Sequence, residues 1–171
     1  MTDTAVAQVT IDTAQDEDFA AIARIYAPYV LNTTVSMEQT PPTADEMKAR
    51  AQASRAQALP FLVARVEGRV AGYAYAFPYR ARPGYRFTVE ESVYVADGFR
   101  GMGIGQQLLA ELIARCREKN YRQMVAVIAG TNNTPSIKFH ESMGFSISGT
   151  LKQVGFKLDT WVDTILMQKA L

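Results

Sequence analysis

The side chains of this sequence best suited to proton transfer are two adjacent carboxylates and one histidine. Glu90 and Glu91 lie in the apolar stretch TVEESVYV, and His140 is the single histidine of the chain. Successive residues of a strand point to opposite faces, and a carboxylate inside a strand is costly to bury without a partner or a task. Glu90 is therefore a candidate general base or the ion-pair partner of a nearby arginine, whereas Glu91 is better interpreted as a solvated or structural carboxylate. A histidine can donate or relay a proton, although a lone histidine on a short helix is often structural.

A basic and aromatic stretch, PYRARPGYR, precedes these glutamates. It interleaves Arg80, Arg82 and Arg86 with Tyr79 and Tyr85. A guanidinium pairs with a carboxylate through two parallel hydrogen bonds, so the stretch would suit a substrate that carries a carboxylate. A solvated basic loop is the alternative. RNA-binding surfaces also mix these residue types, but the formal net charge is +1 and no RNA-recognition motif is present, which argues against nucleic acid.

A glycine-rich turn, RGMGIG at residues 100–105, joins the strand of Glu90 to a helical pattern. The first amides of a helix lack intrahelical partners, and the helix dipole favours negative charge there, so this junction is suited to phosphate. No Gly-Lys-Ser/Thr follows, which excludes a P-loop, and Gln106 stands where a dinucleotide-binding fingerprint needs glycine. Taken alone, the turn could also serve only to connect strand and helix.

The composition predicts one globular domain with no metal and no membrane. The 171 residues are 48% hydrophobic, which is enough for one core. A single histidine argues against a histidine-based zinc site. The N-terminal stretch lacks the pattern of a signal peptide, and no run of 18 apolar residues is present. Cys116, the one cysteine, allows no disulfide within the chain, which fits the cytoplasm. We interpret it as a small buried hydrophobic residue rather than a nucleophile.

Hydrophobic periodicity and turn signals predict an α/β architecture, a mixed sheet with helices packed on it. Strands are predicted at 9–14, at 61–77 as a pair around the EG turn, and at 87–95, 123–130, 145–151 and 160–168. Helices are predicted at about 16–30, from the capping box of Thr43 and Glu46 to about 56, at about 105–119, and from Pro135 to Met143. Residues 32–42 are predicted to form a loop.

Two spaced motifs together resemble the GNAT superfamily of N-acetyltransferases. Arg100-x-x-Gly103-x-Gly105 is similar to its first signature, and Asn133-x-x-Ser136-x-x-x-His140, followed by Gly144-Phe145, is similar to its second. The resemblance extends over nearly the whole chain to the branch that acetylates phosphinothricin and methionine sulfone. It implies a single domain over 1–171, with a mostly antiparallel twisted sheet of about seven strands flanked by about four helices.

The resemblance implies acetyl-CoA as cosubstrate, held mainly by main-chain groups and without a metal. In the family the glycine turn cradles the pyrophosphate, and a splayed strand offers amides to the thioester carbonyl and the pantetheine arm. The residues carried over to this cofactor role are Val93, Tyr94, Val95, Arg100, Gly101, Met102, Gly103, Ile104, Gly105, Gln106, Asn133 and Ser136.

The resemblance also implies catalytic and substrate-binding roles. Glu90 occupies the position of the family's general base. His140 occupies the position of the residue that supplies a proton to the leaving thiolate. The residues carried over to substrate binding are Met37, Arg80, Arg82, Tyr85 and Glu90. Met37 replaces a usual phenylalanine, Arg80 a lysine and Leu158 a histidine, which leaves the side-chain specificity open. The segment around Leu158 and Trp161 resembles one near the active site and dimer interface. Trp161 could lie in the core, at that interface or in the pocket, and we favour the core or the interface.

The sequence therefore predicts a cytoplasmic, homodimeric N-acetyltransferase that acts on the α-amino group of a small amino acid. Transfer to a peptide N-terminus or another amine stays open, although a polyamine would prefer an acidic site and this loop is basic. A non-catalytic acetyl-CoA-binding module is the alternative outside the enzymes. Such a module would be expected to have lost Glu90 or His140, and both are present.

Overall fold

The computed structural model describes residues 8–130 and 133–171. The N-terminal stretch 1–7, part of the segment without a signal-peptide pattern, and residues 131–132, just before the second motif, lie outside the described residues. The strands are β1 (Val9–Thr13), β2 (Phe61–Val66), β3 (Arg69–Pro78), β4 (Thr88–Val95), β5 (Gln123–Ala129), β6 (Ser146–Lys157) and β7 (Thr160–Ala170). The helices are α1 (Phe19–Asn32), α2 (Ala44–Ala56), α3 (Ile104–Glu118) and α4 (Thr134–Ser142).

The seven strands form one sheet in the order β1-β2-β3-β4-β5-β7-β6. Every neighbouring pair is antiparallel except β4 and β5, which are parallel and joined through α3. A parallel pair needs such a crossover because its strands run in the same direction. The predicted mixed α/β sheet, mostly antiparallel and with four helices, is confirmed.

Two apolar layers cover the sheet, one on each face. Residues of α3, including Leu108 and Leu112, pack with β2–β5 on one face, where Cys116 is fully buried as predicted. Residues of α1 and α2, including Ile22 and Met47, pack with Phe61 and other residues of β2 and β3 on the opposite face. Because β4 lies between these layers, its alternate side chains enter opposite layers, as the alternation of its sequence predicts.

The predicted elements are largely confirmed, and the C-terminal hairpin differs most. Helix α2 begins at the predicted capping box, in which Thr43 and Glu46 exchange side-chain and backbone hydrogen bonds. Strand β6, by contrast, continues to Lys157 instead of ending near residue 151. The second half of β6 contains polar residues and a glycine, a pattern that does not predict a strand. It pairs with β7 through register shifts that the sequence pattern does not reveal.

None of the helices in the described part of the chain is long and apolar enough to cross a membrane.

Candidate active site

The parallel strands β4 and β5 separate halfway along their length. Their pairing runs from Thr88 with Gln123 to Glu91 with Ala126 and then stops. Residues 92–95 continue to pair with β3 on the other side. They therefore have no strand partner toward β5, and the gap between the strands offers main-chain groups to a bound molecule. Val93, Tyr94 and Val95, predicted to contact the cofactor, all lie along this gap.

The glycine turn leads from the end of this gap into α3. Gly101 and Gly103 adopt φ angles of +80° and +73°, a left-handed conformation that suits glycine. Gly103 is the N-cap residue and provides no side-chain acceptor. The first intrahelical bond is made by the Gln107 amide to the Gly103 carbonyl oxygen, so the first-turn amides of Ile104, Gly105 and Gln106 precede it. A positively polarised helix start without a side-chain cap is suited to bind a phosphate.

Not every glycine of the turn serves the same purpose. A β-carbon at Gly105 would come within 3.3 Å of the Phe139 ring on α4. Gly105 therefore allows α4 to pack closely on the start of α3. Arg100 and Met102, by contrast, are exposed at the mouth of the turn, and the Arg100 guanidinium forms an ion pair with Asp97 at 2.9 Å.

The Asn133 side chain caps α4, and Ser136 lies in the first turn. The Asn133 side-chain oxygen accepts a hydrogen bond from the Ser136 amide, and its amide nitrogen donates to the Ala129 carbonyl oxygen. This capping fixes α4 at the end of β5, on the same face of the sheet as α3. The motif asparagine thus has a clear structural role, and its predicted contact with the cofactor stays a prediction.

His140 on α4 and Glu91 on β4 form a buried pair at the point where the strands separate. His140 Nε2 lies 2.7 Å from Glu91 Oε1, and the two side chains are 8% and 3% exposed. The second ring nitrogen, Nδ1, lies 2.7 Å from the Ser136 carbonyl oxygen. Glu91 is therefore structural rather than solvated. Both ring nitrogens of His140 are engaged, so it can give a proton to another group only if one of these bonds opens.

The protonation of this pair follows from its geometry. A carbonyl oxygen can only accept, so Nδ1 carries a proton, and the short contact between Nε2 and Oε1 requires a second one between them. Burial lowers the pKa of His140, but the hydrogen bond and charge of Glu91 outweigh this, so the pKa is raised above its ordinary value. Glu91 Oε2 is buried without a hydrogen-bond partner among the described residues, so it remains available as an acceptor.

Glu90 lies at the same point of β4 but faces the opposite layer. Burial raises its pKa to about 7, while the charge of Arg80 lowers it and that of Glu91 raises it. In the described part of the chain, no arginine lies within ion-pair distance of Glu90, so the ion-pair alternative is not observed. A half-buried carboxyl with a pKa near 7 has the properties of a general base at neutral pH.

The family of this chain follows from its similarity to known proteins. Residues 11–166 match the model of the acetyltransferase (GNAT) domain. This chain belongs to the GNAT acetyltransferases. It is 46% identical over 162 residues to a phosphinothricin N-acetyltransferase of Alcaligenes faecalis, covering 95% of this chain and 82% of that one.

Two further relatives agree with this assignment. The chain is 43% identical over 152 residues to an L-methionine sulfoximine/L-methionine sulfone acetyltransferase of Pseudomonas paraeruginosa, with 88% of each covered. The structure of a GNAT superfamily phosphinothricin acetyltransferase of Sinorhizobium meliloti, in complex with acetyl-CoA, superimposes with a TM-score of 0.91 at 43% identity. That alignment covers 95% of this chain and 88% of the other.

The GNAT cosubstrate, acetyl-CoA, fits the main-chain groups of this structure. The gap beside residues 92–95 and the uncapped start of α3 provide unpaired amides for an extended amide-containing arm and for phosphates. No group of three or more potential metal ligands occurs in the described residues.

On the face of the sheet that carries Glu90, the surface beside the gap is not covered by a described helix. Val127 of the central strand β5, one residue beyond its last pair with β4, is 41% exposed. The covering helices on this face contact mainly β2–β4. The loop between α1 and α2, which carries Met37, closes one side of this open area through contacts to β6. The sequence alternation indicated the faces of β4 but not this uncovered surface.

The predicted basic loop is exposed at the start of β4. A cavity of about 570 Å³ is lined by Arg80, Arg82, Arg86 and Thr88, among others. In the described part of the chain, no carboxylate pairs with these three arginines. The Arg80 guanidinium stacks on the Tyr79 ring, which contacts the ring of Tyr85 edge to face. The basic groups are therefore available to an acid.

The expectation that Trp161 lies in the core is wrong for the single chain. Trp161 is 59% exposed and contacts the Phe156 ring, and Leu158 is 54% exposed. Both residues belong to the hairpin of β6 and β7 at the end of the sheet, beyond the helices that cover its centre. The interface alternative for Trp161 stays a prediction.

Proposed function

We propose that this GNAT enzyme transfers the acetyl group of acetyl-CoA to the α-amino group of a small amino acid such as phosphinothricin, methionine sulfoximine or methionine sulfone. The observation that carries this proposal is the position of Glu90 on the open face of the sheet, at the point where β4 and β5 separate. The names of the relatives support this substrate class.

The proposed base is Glu90, acting directly or through a water molecule. An ammonium group cannot attack, so the substrate must lose a proton, and a carboxylate with a pKa of about 7 can accept it near neutral pH. Acetyl-CoA supplies the acetyl group as a reactive thioester. In our proposal its phosphates contact the amides and side chains of residues 100–106, and its arm follows residues 93–95, Asn133 and Ser136.

The proposed source of the proton for the leaving sulfur is His140. The proton shared between Nε2 and Glu91 Oε1 lies on the α3–α4 face of the strand gap, opposite Glu90. Its transfer requires this bond to open. The two carboxylates of β4 would then serve opposite ends of the reaction, Glu90 receiving a proton from the amine and Glu91 orienting the histidine.

The substrate carboxylate is proposed to bind the basic loop through Arg80 and Arg82, with Tyr85 beside them and Met37 on the opposite wall. Three arginines without carboxylate partners beside one cavity support this assignment. We further propose a homodimer formed through the exposed apolar side chains of β6 and β7, and a cytoplasmic location, in keeping with a single buried thiol.

The function is tested by the release of CoA from acetyl-CoA in the presence of different amines. We expect turnover with L-phosphinothricin, L-methionine sulfoximine and L-methionine sulfone, and none with spermidine or a short peptide. Turnover confined to the peptide or to spermidine would contradict an amino-acid substrate.

The role of the basic loop is tested with Arg82→Ala. We expect the KM for methionine sulfone to rise by about tenfold or more, since a lost charged hydrogen bond is worth about 1.5–3 kcal/mol. The KM for acetyl-CoA should be unchanged. The amine that lacks the carboxylate, 3-(methylsulfonyl)propylamine, is the control. An equal loss with this amine would count against carboxylate recognition.

A further inference from the structure

The loop that carries Met37 is held in place on both sides of this residue. The Tyr26 hydroxyl lies 2.6 Å from Ser36 Oγ and donates to Glu38 Oε1 at 2.9 Å. The Arg50 guanidinium forms two hydrogen bonds with the Glu38 carboxylate, at 2.7 and 2.9 Å. The backbone of Met37 therefore has little freedom to move, and its side chain is the adjustable part of this wall.

A third contact joins the loop to the edge strand β6. The buried Lys157 ammonium group donates a hydrogen bond to the Ser36 carbonyl oxygen. Two residues before Lys157 in the same strand is Gly155, and successive residues of a strand at this spacing share a face. The Met37 side chain reaches this same face of β6.

The tip of Met37 occupies the space that a side chain at position 155 would take. A β-carbon on Gly155 would overlap the Met37 methyl group and lie 3.3 Å from its sulfur, whereas its distance to Val162 Cβ, 3.7 Å, would be an ordinary contact. The φ angle of Gly155 is not in the left-handed region. The backbone conformation at position 155 would therefore allow a residue other than glycine. The contact with Met37 depends instead on the absence of a side chain at this position.

We propose that Gly155 is a specificity-determining position, because its bare backbone forms a seat for the Met37 side chain and so sets the room left for the substrate's side chain. This inference rests on the proposed function, in which Met37 is a wall of the amino-acid site. Met37 itself is 38% exposed.

The space beside this seat is open. Val162, which pairs with Gly155 in the hairpin, also lines a cavity of about 500 Å³ together with Val35, Trp161 and Asn133. A β-carbon at position 155 would displace the tip of Met37 from β6 into this space. The backbone of Met37 is anchored, so the loop as a whole would not move away. In the proposed orientation the substrate carboxylate lies at the basic loop and Met37 on the opposite wall, so a β-carbon at position 155 would narrow the end of the site toward which a longer side chain would extend.

The test is Gly155→Ala, with Gly149→Ala as the matched control in the same strand. A β-carbon at Gly149 would meet nothing within 4 Å. The readout is the ratio of kcat/KM for methionine sulfone to that for S-methylcysteine sulfone, which is one methylene shorter. We expect Gly155→Ala to lower this ratio by about tenfold, the usual discrimination of a pocket for one methylene. The KM for acetyl-CoA should be unchanged, and Gly149→Ala should match wild type.

A double-mutant cycle shows whether the effect passes through Met37. In a Met37→Ala background, Gly155→Ala should change the ratio by less than about twofold. The methyl resonance of Met37, assigned with Met37→Leu, should shift in Gly155→Ala and not in Gly149→Ala. This readout does not depend on activity.

The outcomes separate the inference from the function on which it rests. An active wild type with an unchanged ratio and an unmoved Met37 methyl in Gly155→Ala would overturn the seat alone. An equal effect of Gly155→Ala on the ratio in the Met37→Ala background would overturn the inference that the effect passes through Met37. A wild type that acetylates no amino acid would overturn the proposed function and the specificity role with it, even where the methyl shift shows that the seat exists.

Discussion

The adjacent glutamates of β4 differ in chemistry because they enter different layers of the protein. Glu91 faces α4 and shares a proton with His140, while Glu90 faces an open area and meets no arginine within ion-pair distance in the described part of the chain. A buried carboxylate is tolerated when it is paired, and an unpaired half-buried one has its pKa raised. The same residue type thus provides an orienting group on one face and a candidate base on the other.

The pairing of Glu91 with His140 predicts how stability depends on pH. A raised histidine pKa stabilises the fold below the ordinary pKa of histidine, and this contribution is lost as the pH rises through the raised pKa. In Glu91→Gln an amide can donate to the neutral ring, but burial then lowers the pKa of His140. We therefore expect the free energy of unfolding to differ little from wild type at pH 9 and to fall increasingly below it toward pH 6, measured by urea denaturation.

Glu91→Ala is the companion variant for this prediction. It leaves His140 without its partner, so we expect the free energy of unfolding to fall by about 3–5 kcal/mol, the usual cost of breaking a buried pair. A constant difference between Glu91→Gln and wild type across pH 6 to 9 would contradict the shared-proton pair.

At this scale the sequence predicted the chemical groups better than their partners. The alternation of TVEESVYV assigned Glu90 and Glu91 to opposite faces correctly. The pair between Glu91 and His140 could not be predicted, because the two residues are 49 positions apart and only the docking of α4 brings them together. The contact between Met37 and Gly155 was missed for the same reason, since neither residue carries a charge or motif that would indicate it.

Among the elements, the separation of β4 from β5 and the start of α3 together form the proposed cofactor site. The parallel pairing stops at Glu91, and the chain then passes through two glycines with positive φ before α3 begins. The glycine spacing predicted the turn and the helix correctly. The point of separation was not visible in the sequence, since both strands continue with apolar residues that would also suit a fully paired sheet.

The glycine turn gives a prediction at this scale. Gly103→Ala places a β-carbon at φ +73°, which costs about 1–2 kcal/mol and displaces the first-turn amides. We expect the KM for acetyl-CoA to rise severalfold, while the KM for the amino acid is unchanged. Gly98→Ala, in the same connection but without positive φ or near neighbours, is the control. Equal behaviour of the two variants would contradict a phosphate site at this turn.

The whole molecule combines a well-covered half of the sheet with an uncovered one. Six large apolar residues of β6, β7 and their turn are about half exposed: Ile147, Leu151, Val154, Phe156, Leu158 and Trp161. Exposed apolar patches of this kind mark interaction surfaces, and an unprotected edge strand is a common site of association. The overall α/β sheet was predictable from periodicity. The uncovered half was not, because a sequence pattern cannot show which part of the sheet is left without a helix among the described residues.

This patch predicts the behaviour of the protein in solution. We expect the wild type to sediment as a dimer and Trp161→Glu to shift it toward the monomer, since a buried unpaired charge opposes association. Leu31→Glu changes an equally exposed apolar residue on α1 and should remain dimeric. A monomeric wild type, or dissociation by both variants alike, would contradict an interface at β6 and β7.

The measurement that tests the account most directly is the pH dependence of kcat/KM for methionine sulfone in wild type and Glu90→Gln. A base with a pKa of about 7 must be ionised to act, so wild-type kcat/KM should rise with pH through about 7. Glu90→Gln should lose about 10²–10⁴-fold in kcat and lack this rise, with Ser92→Ala, on the same face of β4, close to wild type. Activity of Glu90→Gln within a few-fold of wild type, with the same rise near pH 7, would contradict the assignment of Glu90 as the base.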